Sequence, residues 1–312
     1  MWIRDRTKGT SGQGEGMVRI TPLPHALRGP FHVQDALQSG VSAGRLRASD
    51  LHAPLRGVRI AAAAPTLQER CSALLCHRDD RLLFSHVTAA RLYGAPLPRH
   101  LDVDDPIHVT VPAGERAPQI AGIHSHTIAS WSPALVGAFP VTSPAQTWLD
   151  LVPLLDRSSS IAVADYLVSG SAPWTTRDHL ESIVAAWPGR RGVKQARAQL
   201  PAVRTGVDSP GETRLRLLLT DAGLPEPAVN FTLLDRVGAA IARADLAYPI
   251  EQIAIEYEGD IHRVDRQVWM KDLRRRERVE DLGWRMVRVT ASDLHEPAAL
   301  LTRLRKLLAR RE

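Results

Sequence analysis

Residues Ile241–Gln267 read "IARADLAYPIEQIAIEYEGDIHRVDRQ". In "QIAIEY", Ile253 and Ile255 alternate with Ala254 and Glu256, and β-branched residues at period two favour a pleated sheet. Carboxylates interrupt this apolar pattern: Asp245, Glu256, Glu258, Asp260 and Asp265. Burying a carboxylate costs several kcal/mol unless something positive meets it. Acids at the ends of apolar strands therefore either pair with nearby arginines or hold a metal ion.

Working outward, "SPGETRLRLLLTDAGL" predicts a helix. Ser209 is its N-cap, Pro210 sits at the first helical position and Glu212 falls at the third, the capping-box position. Leu215, Leu218 and Leu219 form its apolar stripe, and Gly223 closes it. "AVNFTLLD", "GAAIARADLAYP" and "QIAIEYEG" predict three strands. "VWMKDLRRRERVEDLGW" predicts a helix burying Val279 and Leu282, "RMVRVTASDL" a fourth strand, and "PAALLTRLRKLLARRE" a last helix.

Phosphodiester hydrolysis needs a positioned water and charge stabilisation at the phosphoryl oxygens. Mg2+ (or Mn2+) supplies both and prefers oxygen ligands. Asp245, read as ending one strand, and Glu256, on the paired strand, are the primary ligand candidates. Glu212 is the secondary one, and the Tyr257 carbonyl is a further donor. Glu258 shares a strand face with Glu256, because side chains repeat with period two. It is a candidate general base or second-metal ligand. His262 is a candidate for water activation or leaving-group protonation. Asp272 either orients His262 or starts a helix, where the macrodipole favours an acid. Against these stand plainer readings: Glu212 as a capping residue only, and the acids paired with Arg243, Arg263 and Arg274, Arg275 and Arg276. That arginine run either tracks phosphates or is solvated.

This constellation resembles the PD-(D/E)XK nuclease core, the restriction-endonuclease-like fold. More closely, residues 209–305 resemble the very-short-patch-repair (Vsr)-like endonuclease family. The resemblance rests on "SPGE", "GLPEP", "ARADLAY" with Asp245, "IEYEGDIHR" with Glu256, Glu258 and His262, "KDLRRRE" with Asp272, and "LGWRMVRVT" with Trp284. It implies an α/β domain over residues 205–312, a mixed sheet flanked by helices with metal-dependent nuclease activity. The third motif position is usually Lys in that superfamily; here it is Glu258.

Toward the N-terminus, "PFHVQDALQSGVSAGRLRASDLHAPLRGVRI" predicts a winged helix-turn-helix over residues 23–64. Val33–Gln38 forms a first helix closed by Gly40, Ser42 caps a second, and a strand pair follows as a wing. Arg45 and Arg47 lie on the second helix, Arg56 and Arg59 in the wing, and all four are candidate DNA contacts. Residues 65–200 predict a mixed α+β domain, with helices in "TLQERCSALLCH", "LLFSHVTAARLYG" and "SPAQTWLDLVPLL" and strands in "PIHVTVP" and "GIHSHT". His124 and His126 alternate on one strand face as metal-ligand candidates with no third ligand evident, and His86 with Ser85 and Thr88 is a weaker catalytic candidate. "GVSAGRLRASDLHAPLRGV", "SHVTAARL" and "SPAQTWLDL" resemble AbiEi-type antitoxin-like proteins, which implies a winged helix followed by a mixed domain.

The chain has 312 residues, 44% of them hydrophobic and 24% charged, which suits a globular protein of two or three domains. No run of ~18 apolar residues predicts a membrane span. Residues 1–22 read as a disordered leader without the apolar core of a signal peptide. Cys71 and Cys76 fit no metal-binding spacing and are too few for a disulfide framework, so a cytoplasmic protein is expected. Of the net charge of +6, residues 1–62 contribute +5, with nine basic residues against four acidic ones. That excess points to nucleic acid. Two functions fit: a Mg2+-dependent DNA endonuclease, or an antitoxin-like DNA-binding regulator with an inactive nuclease core. RNA as substrate, a toxin partner and a homodimer all stay open.

Overall fold

The computed structural model describes residues 21–62, 64–77, 81–101, 106–259 and 275–309. The expected leader falls almost wholly outside them, as do His262, Asp272 and Arg274. The described chain is mixed α and β, and it divides into two units, residues 1–80 and 81–312. No helix among the described residues is long and apolar enough to cross a membrane.

In the first unit, β1 (Phe31–His32) leads into α1 (Val33–Gln38). The left-handed Gly40 (φ 83°) ends α1, and the Val41 N–H donates back to the Ala36 carbonyl at 2.9 Å. β1 pairs antiparallel with β2 (Val58–Arg59), and Leu27, Phe31, Ala36, Val41 and Leu46 form a small core. α2 (Leu67–His77) packs on both strands.

The second helix expected here is absent: Arg45–Arg47 makes a single 3-10 turn. Between Gly44 and the extended Ala48 the segment is too short to offset the cost of helix nucleation. Arg45 has been drawn into the fold. Its guanidinium donates to both carboxylate oxygens of Asp50 (2.8 and 2.7 Å) and to the Thr21 carbonyl (2.5 Å). Arg59 donates to the carbonyls of Leu46 (3.0 Å) and Val58 (2.9 Å). Arg47 and Arg56 are exposed.

The second unit opens with a five-stranded mixed sheet in the order β5-β4-β3-β7-β6. Its strands are β3 (Leu83–Phe84), β4 (Ile107–Pro112), β5 (Ile123–Ile128), β6 (Pro133–Val136) and β7 (Phe139–Thr142). The helix expected across "LLFSHVTAARLYG" begins only at His86, as α3 (His86–Tyr93); Leu83 and Phe84 pair with β4 instead. Helices α4 (Pro144–Leu151), α5 (Arg157–Val168), α6 (Arg177–Ala186) and α7 (Val193–Gln199) follow.

α5 is fastened to α8 (Pro210–Asp221) by a buried ion pair. The Asp165 carboxylate accepts from Arg216 Nη2 (2.9 Å), Thr213 Oγ1 (2.8 Å) and the Arg204 N–H (2.7 Å), and both charged side chains are 1% exposed. Such a pair adds little net stability, but it tolerates no loss of one partner. It fixes α8, and with it Glu212.

α8 packs on a second sheet of order β11-β10-β9-β8, from β8 (Ala228–Leu234), β9 (Ala240–Tyr248), β10 (Ile253–Glu258) and β11 (Arg285–Thr290). β8, β9 and β10 form an antiparallel meander, whereas β10 and β11 run parallel. A parallel pair needs a crossover, and helical residues 275–281 (α9) lie within it. α10 (Ala291–His295) and α11 (Ala298–Leu308) end the described chain. Leu215 and Leu219 of α8 and Leu300 and Leu304 of α11 bury one sheet face with Ile253, Ile255, Val287 and Val289. Val279 of α9 covers the other, with Ala247, Ala254 and Met286.

Candidate functional site

The second sheet is forked. The β9–β10 ladder pairs Tyr248 with Ile253, Ala247 with Ala254 and Leu246 with Ile255, and there it stops. β9 continues beside β8 as far as Ala240, and β10 continues beside β11 as far as Glu258. Asp245 is therefore inside β9, not at a strand end as expected, and it stands with Glu256 at the crotch of the fork. The Tyr257 N–H, deprived of a strand carbonyl, donates to Asp245 Oδ2 at 2.8 Å. Asn230, between the pairs Val229–Leu246 and Phe231–Ala244, is left-handed (φ 46°), a conformation Asn tolerates better than most residues.

The fork opens into a cleft of about 490 Å³. Arg243 and Asp245 line one prong, Glu256, Tyr257 and Glu258 the other, with Arg275 and Arg276 from α9 and Arg288 from β11. The acids meet arginines. Glu256 pairs with Arg275, which also donates to the Arg243 carbonyl (3.1 Å). Glu258 pairs with Arg288 across the parallel strands at 3.2 Å, and Arg243 pairs with Asp208. Arg276 turns to Glu280 on its own helix (2.8 Å).

The ring of Tyr257 lies directly on the backbone of Gly211 in α8. A Cβ at residue 211 would fall 2.0 Å from Cε1 of that ring, so only glycine fits. This contact brings the first turn of α8 against the end of β10. Glu212 follows, 5% exposed. Its Oε2 accepts from the Asp208 N–H at 3.0 Å and faces Asn230 Nδ2 at 3.4 Å. The expected capping box is thus displaced by one residue: the Ser209 hydroxyl accepts from the Glu212 N–H (3.2 Å), but Glu212 reaches back to Asp208.

Burial raises the Glu212 pKa against hydrogen bonds from Asp208 and Ser209, and the charges of Asp245 and Asp208 push it further up. Burial likewise raises Asp245 against the Tyr257 N–H and the charges of Arg275 and Arg243. Glu212 and Asp245 are close enough to repel. Glu212, Asp245 and Glu256 do not close into one tight carboxylate cluster, because Glu212 is held by Asp208 and Glu256 by Arg275. The candidate ligand atoms lining the fork are the carboxylate oxygens of Asp245, Glu256 and Glu258. That set suits a hard divalent cation in its chemistry.

The histidines gather elsewhere. Among the described residues, one set of three His, Cys, Asp or Glu side chains brings its ligand atoms within 4.8 Å of one another: His86, His108 and His126. His124, offered with His126 as a ligand pair, is exposed and outside the set. His108 is not among the residues the sequence singles out, although "PIHVTVP" and "GIHSHT" carry their histidines at matching strand positions. Asp208, Asn230 and Arg288 are likewise not singled out by the sequence.

The chain is similar to two uncharacterized proteins of Mycobacterium tuberculosis, MT2308 of strain CDC 1551 / Oshkosh and Rv2248 of strain H37Rv. Identity to each is 28% over 253 residues, spanning 80% of this chain and 90% of the relative. No family model and no solved structure matches the chain.

Proposed function

We propose that residues 205–312 are a divalent-cation-dependent DNA endonuclease domain of the restriction-endonuclease-like, Vsr-like kind. The observation that carries this reading is the forked cleft, which joins Asp245, Glu256 and Glu258 to Arg243, Arg275 and Arg288. The element order, one helix, a three-strand meander, a crossover and a parallel fourth strand, supports it too. Asp245, Glu256 and the Tyr257 carbonyl are the groups that would hold Mg2+ or Mn2+, with Glu212 behind Asp245. The ion, when bound, supplies Lewis acidity toward a phosphoryl oxygen and acidifies a bound water.

The chain's own residues do the rest. Arg243, Arg275 and Arg288 can move from their carboxylates to a phosphodiester, for which a guanidinium is equally suited. Glu258, in the place where Lys is usual, accepts the proton of the attacking water. Arg47 and Arg56 of the first unit are the exposed members of the four arginines considered for DNA binding.

A second reading, a DNA-binding regulator whose nuclease-like core is inactive, is favoured by one specific observation. Arg275 and Arg288 already neutralise Glu256 and Glu258. Supercoiled plasmid incubated with the full chain and Mg2+ or Mn2+ separates the two. The endonuclease reading requires nicked or linear DNA that chelator and Glu256→Ala abolish. DNA retention without cleavage under either ion favours the regulator.

A further inference from the structure

We propose that His86, His108 and His126 form a three-imidazole site for a transition-metal ion, with Zn2+ the ion the donors suit best. The site lies in the five-stranded sheet, apart from the forked cleft, and does not depend on the endonuclease reading.

The topology brings the rings together. β4 and β5 run parallel with His108 opposite His124 and Thr110 opposite His126, so His108 and His126 share one sheet face. His108 Nδ1 and His126 Nε2 share a hydrogen bond of 3.0 Å, so one of them carries the proton that a metal ion would displace. The α3 terminus delivers the third ring. The Ser85 N–H donates to the His108 carbonyl (3.0 Å), and the His108 N–H donates to Thr88 Oγ1 (2.8 Å), which clamps the start of α3 onto β4. The His86 ring lies face to face on His126, centroids 3.7 Å apart and planes 17° apart, so the site gathers the three rings and metal binding would turn them about their side-chain torsions.

The backbone is strained where this happens. His86 has φ 51°, left-handed for a bulky non-glycine residue. Such strain costs on the order of 1–3 kcal/mol and persists only where the surroundings impose it, most often at functional sites. It falls where Ser85 and Thr88, on either side, are both hydrogen-bonded to the His108 backbone.

The spacing fits the ion. Zn–N bonds of about 2.0–2.1 Å in a tetrahedron set nitrogens about 3.3–3.4 Å apart. The ligand nitrogens lie within 4.8 Å of one another, close enough for one ion once it replaces the His108–His126 hydrogen bond and the near-parallel rings turn to aim their lone pairs at it. Imidazole donors favour zinc and its neighbours over Mg2+. Three protein ligands leave a fourth position for water or a ligand. A carboxylate also lies near, just beyond hydrogen-bond distance. Asp150 Oδ2 lies 3.8 Å from His86 Nδ1, while Asp150 itself is held by Gln146 Nε2 (2.7 Å) and by Arg190. Ser85 Oγ meets the same Nδ1 at 3.0 Å, which leaves Nε2 of His86 for the ion.

The test uses the full chain, stripped with chelator and dialysed against Zn2+, then assayed for bound metal by elemental analysis. One zinc per chain is expected. His126→Ala and His86→Asn should each weaken binding by about 100-fold or more, since loss of even an outer partner costs about 10–100-fold. His124→Ala, on the same strand but exposed, and Asp245→Ala, in the forked cleft, should keep the zinc. Wild-type protein that retains no zinc, or both histidine variants retaining it unchanged, overturns the proposal. Should both variants fail to fold, Co2+ in the wild type decides: intense visible absorption of a tetrahedral ion supports the site, and the weak bands of an octahedral one overturn it.

Discussion

Gly211→Ala tests how α8 positions the forked cleft. In most helices the change stabilises, by up to about 1 kcal/mol, because alanine is the better helix former. Here the new methyl would lie 2.0, 2.4 and 2.6 Å from Cε1, Cδ1 and Cζ of Tyr257. Carbon atoms settle about 3.5–4.0 Å apart, so the ring must retreat by roughly 1.5 Å. It belongs to a strand, and its own N–H is bound to Asp245 at 2.8 Å. The retreat therefore disturbs Asp245 and the flanking Glu256 and Glu258. Overpacking of this kind costs about 1–3 kcal/mol, so against a helix gain of up to about 1 kcal/mol the net effect should be a loss of up to about 2 kcal/mol. Urea unfolding of wild type, Gly211→Ala, Tyr257→Ala and the double variant measures it. The double variant should be more stable than the two single losses predict by at least about 0.5 kcal/mol, because removing the ring makes room for the methyl. A Gly211→Ala protein more stable than wild type, with no coupling to Tyr257, would show that the ring does not hold α8 against β10.

The buried pair of α5 and α8 makes a second prediction: Asp165→Ala should destabilise by about 3–5 kcal/mol, since it strands Arg216 without its charge partner. A loss under about 1 kcal/mol in the same unfolding assay would show that Arg216 is hydrated. The N-cap of α5 predicts a pH dependence. Burial pushes Asp156 up, but hydrogen bonds from Ser158 and Ser159 outweigh it and lower its pKa from 3.8 to about 2. Its contribution is thus present above pH 3.8 and lost as pH falls through about 2. Asp156→Ala should cost about 1 kcal/mol at neutral pH, and the difference should shrink below about pH 4. A gap that stays constant from pH 7 to pH 3 contradicts that assignment. In the first unit, Arg47→Ala with Arg56→Ala should lower the salt slope of DNA binding by about two, as for two lost phosphate contacts. Anisotropy titrations in which the slope is unchanged would remove both residues from the interface.

The described residues of 209–308 are largely legible in the sequence because their signals are local. Ser209, Pro210 and Gly223 punctuate α8, and the period-two pattern of "QIAIEY" marks β10. The fork was not legible, since a ladder ends where the backbone diverges and no residue type announces it; the left-handed Asn230 is its nearest trace. Strands as short as Leu83–Phe84 carry too few residues for a period, so they were absorbed into the helix that follows. The second helix of the first unit was overread because Ser42 and Arg45–Arg47 look like a capped basic helix, whereas Arg45 closes a turn through Asp50. His108 escaped notice for a different reason. It meets His126 only through the parallel register of β4 and β5, a long-range pairing that each strand's own pattern leaves unspecified.

The cleft itself is tested most directly by the rate of plasmid cleavage with Mn2+ for wild type and Asp245→Asn, at matched melting temperature. The wild type should cleave, and the variant should lose at least about 10²-fold, the scale seen when a group that positions the reacting atoms is removed. A wild type that leaves the plasmid intact, or an Asp245→Asn protein that cuts at the wild-type rate, would contradict it.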